Sequence, residues 1–294
     1  MAVEIPYVRE IEFTYGESDQ VSPLIRRVVA ENPSAFTYKG TGTYIVGRGK
    51  VAVIDPGPLD EKHVEALMRA VEGETVTHIL ITHTHSDHSP AAAPLKARTG
   101  AKTYGYGPHG AGAGEEDGDM NFVPDVEIRH GDIIEGEGWT IECVHTPGHT
   151  SNHICFALRE EKALFSGDHV MGWSTSIVSP PDGNMSDYMK SLDLLLTRDD
   201  ETYWPTHGPA ICDPKPFVRA FIAHREERER QIIEQLKAGH TRIADMVPVI
   251  YAAVDKRLYP AAARSVLAHI GRLVEQGRVI TDGEPTLGAE YRLP

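Results

Sequence analysis

Short apolar runs and helical periods alternate along the first two hundred residues. Residues 36–38, 43–46 and 51–54 are compact β-rich runs separated by Gly-containing turns, so they predict a meander that Asp55-Pro-Gly closes. Residues 61–71 place Val64, Leu67, Met68 and Val71 at helical spacing, and residues 77–82 return to a continuous apolar strand. Further strands are predicted at 102–106, 126–129, 139–144, 153–158 and 163–166, with a helix at 186–196. Strands with helices between and after them predict two sheets covered by helices. Residues 110–120, rich in Gly, Ala and acids, read as a mobile loop to which no chemistry is assigned.

From about Pro216 the texture changes. Residues 217–238 form a charged amphipathic period, residues 241–251 a second helix, and residues 261–276 a third with Val266, Leu267, Ile270, Leu273 and Val274 on one face. Gly277 is a stop signal, and strand-like pieces at 278–281 and 290–293 flank the Asp282-Gly-Glu-Pro turn. Three helices and a hairpin predict a winged helix, so the expected organisation is a large unit over 1–215 and a small one over 216–294. No internal repeat or low-complexity tract interrupts this pattern.

Composition narrows the class. The 294 residues are 40% hydrophobic and 24% charged, enough to bury a sizeable core. The net charge is −14, unevenly spread: from Ala220 onward eleven Lys/Arg face ten Asp/Glu, about +1, which leaves about −15 on residues 1–219. Such a field repels polyanions, although screening and bound cations reverse it locally. It argues against a nucleic-acid clamp on the large unit without excluding RNA from a metal-lined cleft. No run approaches the roughly 20 apolar residues of a membrane span, and no basic-then-apolar leader opens the chain. The expected compartment is the cytoplasm, with no membrane partner. Cys143, Cys155 and Cys212 are too few and too widely spaced for a disulfide framework or a cysteine zinc cage.

The chemistry gathers in four places. Residues 83–88 read His-Thr-His-Ser-Asp-His directly after an apolar strand, and the one-residue gap lets His83 and His85 converge on one ion. Three imidazoles in six positions make a poor random surface patch in a chain with 15 histidines. The second place, His145-Thr-Pro-Gly-His149, puts a turn before its candidate ligand His149. The third, Leu164-Phe-Ser-Gly-Asp168, ends an apolar strand in a carboxylate that either bridges two ions or caps a turn. The fourth, Pro205-Thr-His207-Gly-Pro, presents one imidazole from a rigid loop. His145 and Asp55 are candidates to buttress ligands, each with an ordinary turn or loop role as the alternative. His153 and His169 are weighed as substrate contacts. His63, His78, His109, His130, His224, His240 and His269 are read as surface or core.

In this order, T-H-T-H-S-D-H at 82–88, H-T-P-G-H at 145–149, F-S-G-D at 165–168 and T-H-G-P at 206–209 resemble the metallo-β-lactamase superfamily. The resemblance covers about Tyr44 to Pro209. It implies an α+β fold, a four-layer αβ/βα sandwich with metals at its edge. His83, His85 and His149 would hold one ion, Asp87, His88 and His207 a second, and Asp168 would bridge them. Two divalent ions are expected, zinc by preference with iron or manganese compatible. Water activated between them would attack an ester, thioester or phosphodiester bond, with Asp87 orienting it.

The tail adds a closer resemblance to the β-lactamase-like protein 2 group, which carries a C-terminal winged helix and includes an endoribonuclease acting on single-stranded RNA. Antibiotic-hydrolysing class B enzymes generally place Cys where Asp168 stands, so this chain does not resemble a resistance enzyme. Mono-iron sulfur dioxygenases share the first motif and supply an alternative. Expected partners are a small ester, thioester or phosphodiester, or single-stranded RNA, with a homodimer in view. For RNA, the available tail charges are Arg225, Arg228, Arg230, Arg264 and Arg272, partly opposed by Glu226, Glu227 and Glu229.

Overall fold

The computed structural model describes residues 4–108, 110 and 118–294. Strands β1 (Ser18–Gln20), β2 (Ile25–Val29), β3 (Gly42–Val46), β4 (Lys50–Ile54), β5 (Thr75–Leu80), β6 (Lys102–Gly105) and β7 (Val126–Glu127) form one seven-stranded sheet in chain order. Its first half is antiparallel; from β4 onward the strands are parallel. Helices α1 (Glu61–Ala70) and α2 (Ala92–Thr99) make the crossovers from β4 to β5 and from β5 to β6. Asp60 caps α1 by accepting the Lys62 N–H at 3.0 Å.

The second sheet holds β8 (Ile133–Gly136), β9 (Trp139–His145), β10 (Ile154–Leu158), β11 (Ala163–Gly167) and β12 (Thr202–Pro205), in the order β12-β11-β10-β9-β8. Helix α3 (Met185–Thr197) makes the crossover into β12, the one parallel strand of this sheet. Three apolar clusters stack the layers. Ala66, Leu67 and Leu95 of α1 and α2 pack on Ile45, Val53 and Ile79 at one outer face. Tyr44, Ile54 and Leu80 meet Trp139, Ile141, Phe156 and Phe165 between the sheets. Tyr188 and Leu192 of α3 cover Val144, Cys155 and Leu164 on the far side. This is the expected four-layer α+β sandwich.

The tail contains α4 (Pro214–Lys237), α5 (Ile243–Ile250), α6 (Tyr259–Glu275) and the short pair β13 (Ile280–Thr281) and β14 (Tyr291–Arg292). Ile232, Met246, Val266, Ile270, Leu273 and Tyr291 give it a core of its own. Helix α4 joins both units, because Phe217, Val218 and Phe221 in its first half lie in the cluster under α3. No helix among the described residues is long and apolar enough to cross a membrane.

Residues 36–38 do not form the predicted strand. The Ser34 hydroxyl accepts the N–H groups of Phe36 and Thr37 at 3.1 and 3.0 Å, and Tyr38 adopts φ 57°, so local side-chain bonding wins over β propensity. Strands β1, β2, β8 and β12 and helix α2 were not predicted. Helix α2 buries only Ala92 and Leu95, too weak a stripe to read. The predicted mobile loop falls largely on residues 111–117, outside the described residues, as does His109.

Candidate metal centre

The parallel and antiparallel pairings aim four loops at one edge of the sandwich. Residues 83–88 follow β5, His149 follows β9, Asp168 follows β11 and His207 follows β12. Two glycines make this crowding feasible. Gly148 adopts φ 138°, where a Cβ would lie 2.3 Å from the Tyr188 backbone; Gly167 adopts φ 52°, where one would lie 2.5 Å from His153 Nε2.

All seven predicted side chains converge. The donor atoms of His83, His85 and His149 lie within 4.8 Å of one another, as do those of Asp87, His88 and His207, while His83, His88 and Asp168 form a third such set that joins the two. Asp168 faces both sides: Oδ2 is 3.6 Å from His149 Nε2, and Oδ1 is 3.6 Å from His88 Nε2 and 3.5 Å from His207 Nε2. Asp87 Oδ2 lies 3.0 Å from His207 Nε2.

The ring nitrogens are oriented from behind. His149 Nδ1–H donates to the Ile177 carbonyl at 2.5 Å, His88 Nδ1–H to Asp55 Oδ2 at 2.9 Å, and His207 Nδ1–H to the Gly40 carbonyl at 3.2 Å. Each bond fixes a tautomer whose Nε2 lone pair points into the cluster. His85 presents Nδ1, 2.9 Å from His83 Nε2 and 3.1 Å from His149 Nε2. A tetrahedral zinc with nitrogen ligands at about 2.0–2.1 Å keeps them roughly 3.3 Å apart, close to this spacing.

Electrostatics divide the cluster. Burial holds His85 down to about 3 and His83 and His149 below the ordinary imidazole range, so these three are neutral donors at pH 7. Burial also opposes charge on His88 and His207, yet Asp87 and Asp168 outweigh it and draw both upward. The same pairing outweighs burial on Asp87 and Asp168 and lowers both carboxyls. The carboxylates therefore attract positive charge to the cluster. Among the described residues, His88 Nε2 and Asp168 Oδ1 are buried without a hydrogen-bond partner. Such atoms are costly unless they ligate something, and the donor set fits a divalent cation.

Asp55 is a support that the sequence left level with a simple turn. Wholly buried at φ 48°, its carboxylate accepts the Thr82 N–H at 2.8 Å, the Thr82 and Thr206 hydroxyls at 2.7 and 2.9 Å, and the His88 imidazole. It thereby ties the first and fourth motif regions together. His153 is also a support: its Nε2 accepts the Asp168 N–H at 3.2 Å while Nδ1–H donates to Thr146 at 2.9 Å. His145 stays outside, stacked on Tyr106 at 3.9 Å, and His169 is wholly buried against Tyr188 at 4.7 Å. Neither Cys143 nor Cys155 joins the cluster; burial pushes both thiols up to about 12.

The comparisons with known proteins agree with this geometry. Residues 38–207 match the model of the Metallo-beta-lactamase superfamily, and residues 243–288 that of the beta-lactamase associated winged helix domain. The chain is 32% identical over 273 residues to a beta-lactamase-like protein 2 homolog of Drosophila melanogaster, covering 88% of this chain and 91% of that one. It is 31% identical over 242 residues to a protein of Claviceps purpurea named atrochrysone carboxyl ACP thioesterase, covering 79% and 74%. Among solved structures, a beta-lactamase domain protein from Burkholderia ambifaria superposes with TM-score 0.79 at 18% identity, over 99% of this chain and 97% of that one.

Proposed function

The chain belongs to the metallo-β-lactamase superfamily of hydrolases, and from that premise we propose that it is a dinuclear metal hydrolase acting on small ester or thioester bonds. The observation that carries this reading is the two-sided placement of Asp168 between a three-histidine set and an Asp-His-His set. In this reading His83, His85 and His149 hold one ion, Asp87, His88 and His207 hold the other, and Asp168 bridges. Zinc is the preferred metal because imidazole-rich sets suit it, although no cysteine enforces softness, and iron and manganese are compatible.

Two such ions, when bound, lower the pKa of a shared water toward about 7 and polarise a substrate oxygen. The residues of the chain do the positioning. The Asp87 side chain is 23% exposed against 11% for Asp168, so Asp87 is the carboxylate that faces incoming substrate. Its role is to accept a hydrogen from the attacking water and hold that water in line. Ile177, Asp55 and Gly40 keep three imidazoles in the ligating tautomer through their Nδ1 bonds.

The thioester reading draws support from the relative named as a thioesterase. The RNA reading is weaker, because the arginines it needs are occupied. Arg225 is only 3% exposed, Arg272 binds Glu229 and Arg230 binds Glu227. A mono-iron dioxygenase would leave the Asp87, His88 and His207 set without a purpose. We place the boundary between catalytic and winged-helix units after residue 215, and the working compartment in the cytoplasm, where free thiols such as these persist.

Metal analysis of fully loaded protein, with a screen of esters, thioesters and single-stranded RNA, tests the reading. Two metal equivalents with ester or thioester turnover are expected. One tightly held iron and no second ion under metal excess would sink it.

A further inference from the structure

We propose that Arg225, on the tail helix α4, is a positioning residue that fixes the His149 ligand through the backbone of residues 169–177. The proposal rests on the metal-binding part of the reading above and is independent of the substrate.

The path is short, and the residues that anchor it, His169, Ser176, Tyr188 and Arg225, are buried. Asp168, at the cluster, leads directly into residues 169–177. The His169 carbonyl accepts two hydroxyls, from Tyr188 and from Ser176, each at 2.8 Å. These bonds fold the segment back on itself. Arg225 Nη2–H then donates to the Ser176 carbonyl, and the guanidinium lies 5.1 Å above the Tyr188 ring. The next carbonyl along the chain, Ile177, receives His149 Nδ1–H at 2.5 Å. One segment thus carries a carboxylate of the cluster at its start and orients an imidazole of the cluster at its end. Among the described residues, the charged group that grips it between those points comes from the tail.

Arg225 is poorly explained as anything else. It is 3% exposed, so it cannot guide a polyanion, and no carboxylate pairs with it in an ion pair among the described residues. Burying an arginine is costly; here Nη2 is used on the Ser176 carbonyl, while Nε has no hydrogen-bond partner among the described residues. A guanidinium spent on a loop carbonyl and an aromatic face places a rigid planar fork against the ligand-bearing segment. Outer partners of metal-ligating histidines set ring orientation and basicity, and losing one typically weakens metal binding about 10- to 100-fold. Arg225 acts one residue further out, through the peptide joining Ser176 to Ile177.

The test uses cobalt(II) added to the metal-free full chain, read by its visible absorption and by competition with a chelator. Arg225→Met keeps the apolar stem and removes the donors; the affinity for the first cobalt equivalent should fall by up to about 10-fold, the low end for outer partners, with shifted bands. Arg225→Lys keeps one charged donor and should recover part of both. Arg228→Met is the control, since Arg228 bonds the Ile250 carbonyl and stacks 4.2 Å over Tyr251 within the tail. It should lower the melting temperature and leave cobalt affinity and bands unchanged. Native bands and affinity in folded Arg225→Met overturn the proposal, as does an equal loss in Arg228→Met. If Arg225→Met does not fold, Tyr188→Phe carries the test by removing the hydroxyl on the His169 carbonyl while keeping the ring. Shifted bands then support the clamp and unchanged bands overturn it. A wild-type chain that takes up no cobalt would overturn the metal site itself, a failure distinct from that of the clamp.

Discussion

Two regions of this molecule bury ionisable groups, and they solve the problem in opposite ways. At the edge of the sandwich, His83, His85 and His149 converge as neutral imidazoles, and Asp168 Oδ1 and His88 Nε2 have no hydrogen-bond partner among the described residues. In the seam between α4 and α6, the Glu229 carboxylate is 2% exposed and is answered by Arg272 at 2.6 Å and Arg278 at 3.3 Å. The Glu229 carboxylate is matched within the chain. The edge is complete only with a cation. A cluster of buried charges is therefore read by whether its donors and acceptors complement one another, rather than by how many it contains.

The largest effect that could break this contrast is at Asp168. Replacement by Ala removes the carboxylate shared by both sets, so occupancy of both metal positions should fall by at least about 10- to 100-fold. The fold should survive, since the three apolar clusters of the sandwich do not include this side chain. Unchanged metal content and turnover would remove Asp168 from the site.

Glu229→Ala should do the reverse. Breaking a buried pair costs about 3–5 kcal/mol, and the half exposure of Arg278 brings the expectation to about 2–3 kcal/mol. Denaturant melts should show that loss with metal stoichiometry still at two equivalents. A stable variant that has lost metal would erase the distinction between the two regions.

Asp55→Asn probes a smaller term within the edge. Asn tolerates φ 48° and can still accept one bond, but its amide would donate toward His88 Nδ1. His88 would then carry its proton on Nε2, the wrong tautomer for a ligand. Affinity for the ion of the Asp87, His88 and His207 set should drop about 10-fold while the other position is kept. An equal loss at both positions, measured by stepwise metal titration, would count against this assignment.

The site was far more legible in the sequence than the supports behind it. His83, His85, Asp87, His88, His149, Asp168 and His207 stand in four short motifs at strand ends; spacing brought only His83 and His85 together, and the resemblance to the metallo-β-lactamase superfamily joined the rest. Asp55 shares its motif with an ordinary turn, so only its four bonds in space distinguish the roles. The carbonyls of Ile177 and Gly40 carry no residue signature at all. Arg225 was misread as an available surface charge because charged residues dominate its stretch of α4; the helix phase that turns it inward depends on α3 lying alongside. In the fold, long periodic elements such as α4 and α6 were visible, whereas β1 and β8, of three and four residues, are defined by pairing partners rather than by local pattern.

Acid should separate the regions by a smaller margin. Burial lowers His224 and His269 in the tail to about 4, against an unfolded value of about 6.5. Between those values the unfolded chain binds more protons, so stability is fully present above about pH 6.5 and is lost as pH falls toward 4. The tail should lose on the order of 1–2 kcal/mol over that window, with His224 discounted for its partial exposure. His269→Leu, melted in the metal-free form at pH 7.5 and pH 5, should show a reduced acid shift. The same shift in variant and wild type would exclude His269 as its source.

The smallest expected effect concerns salt. If tail charges are spent on internal partners, little remains for a polyanion. Arg272 and Arg278 face Glu229, Arg230 faces Glu227, Arg242 faces Glu290, Arg257 faces Asp255 and Arg292 faces Asp282, while Arg225 is buried. Arg264 remains exposed on α6. Single-strand binding weakens with salt at a slope of about −0.7 per phosphate neutralised, so a slope of −3 requires roughly four contacts. The paired arginines would have to abandon their carboxylates to supply them, and the large unit near −15 opposes the approach. Binding of a fluorescent single-stranded RNA across a salt series should therefore be weak, with a slope shallower than about −3. A steeper slope, abolished by Arg264→Ala together with Arg230→Ala, would show a basic face that the internal pairing conceals. It would also move the proposed substrate from an acyl compound to RNA.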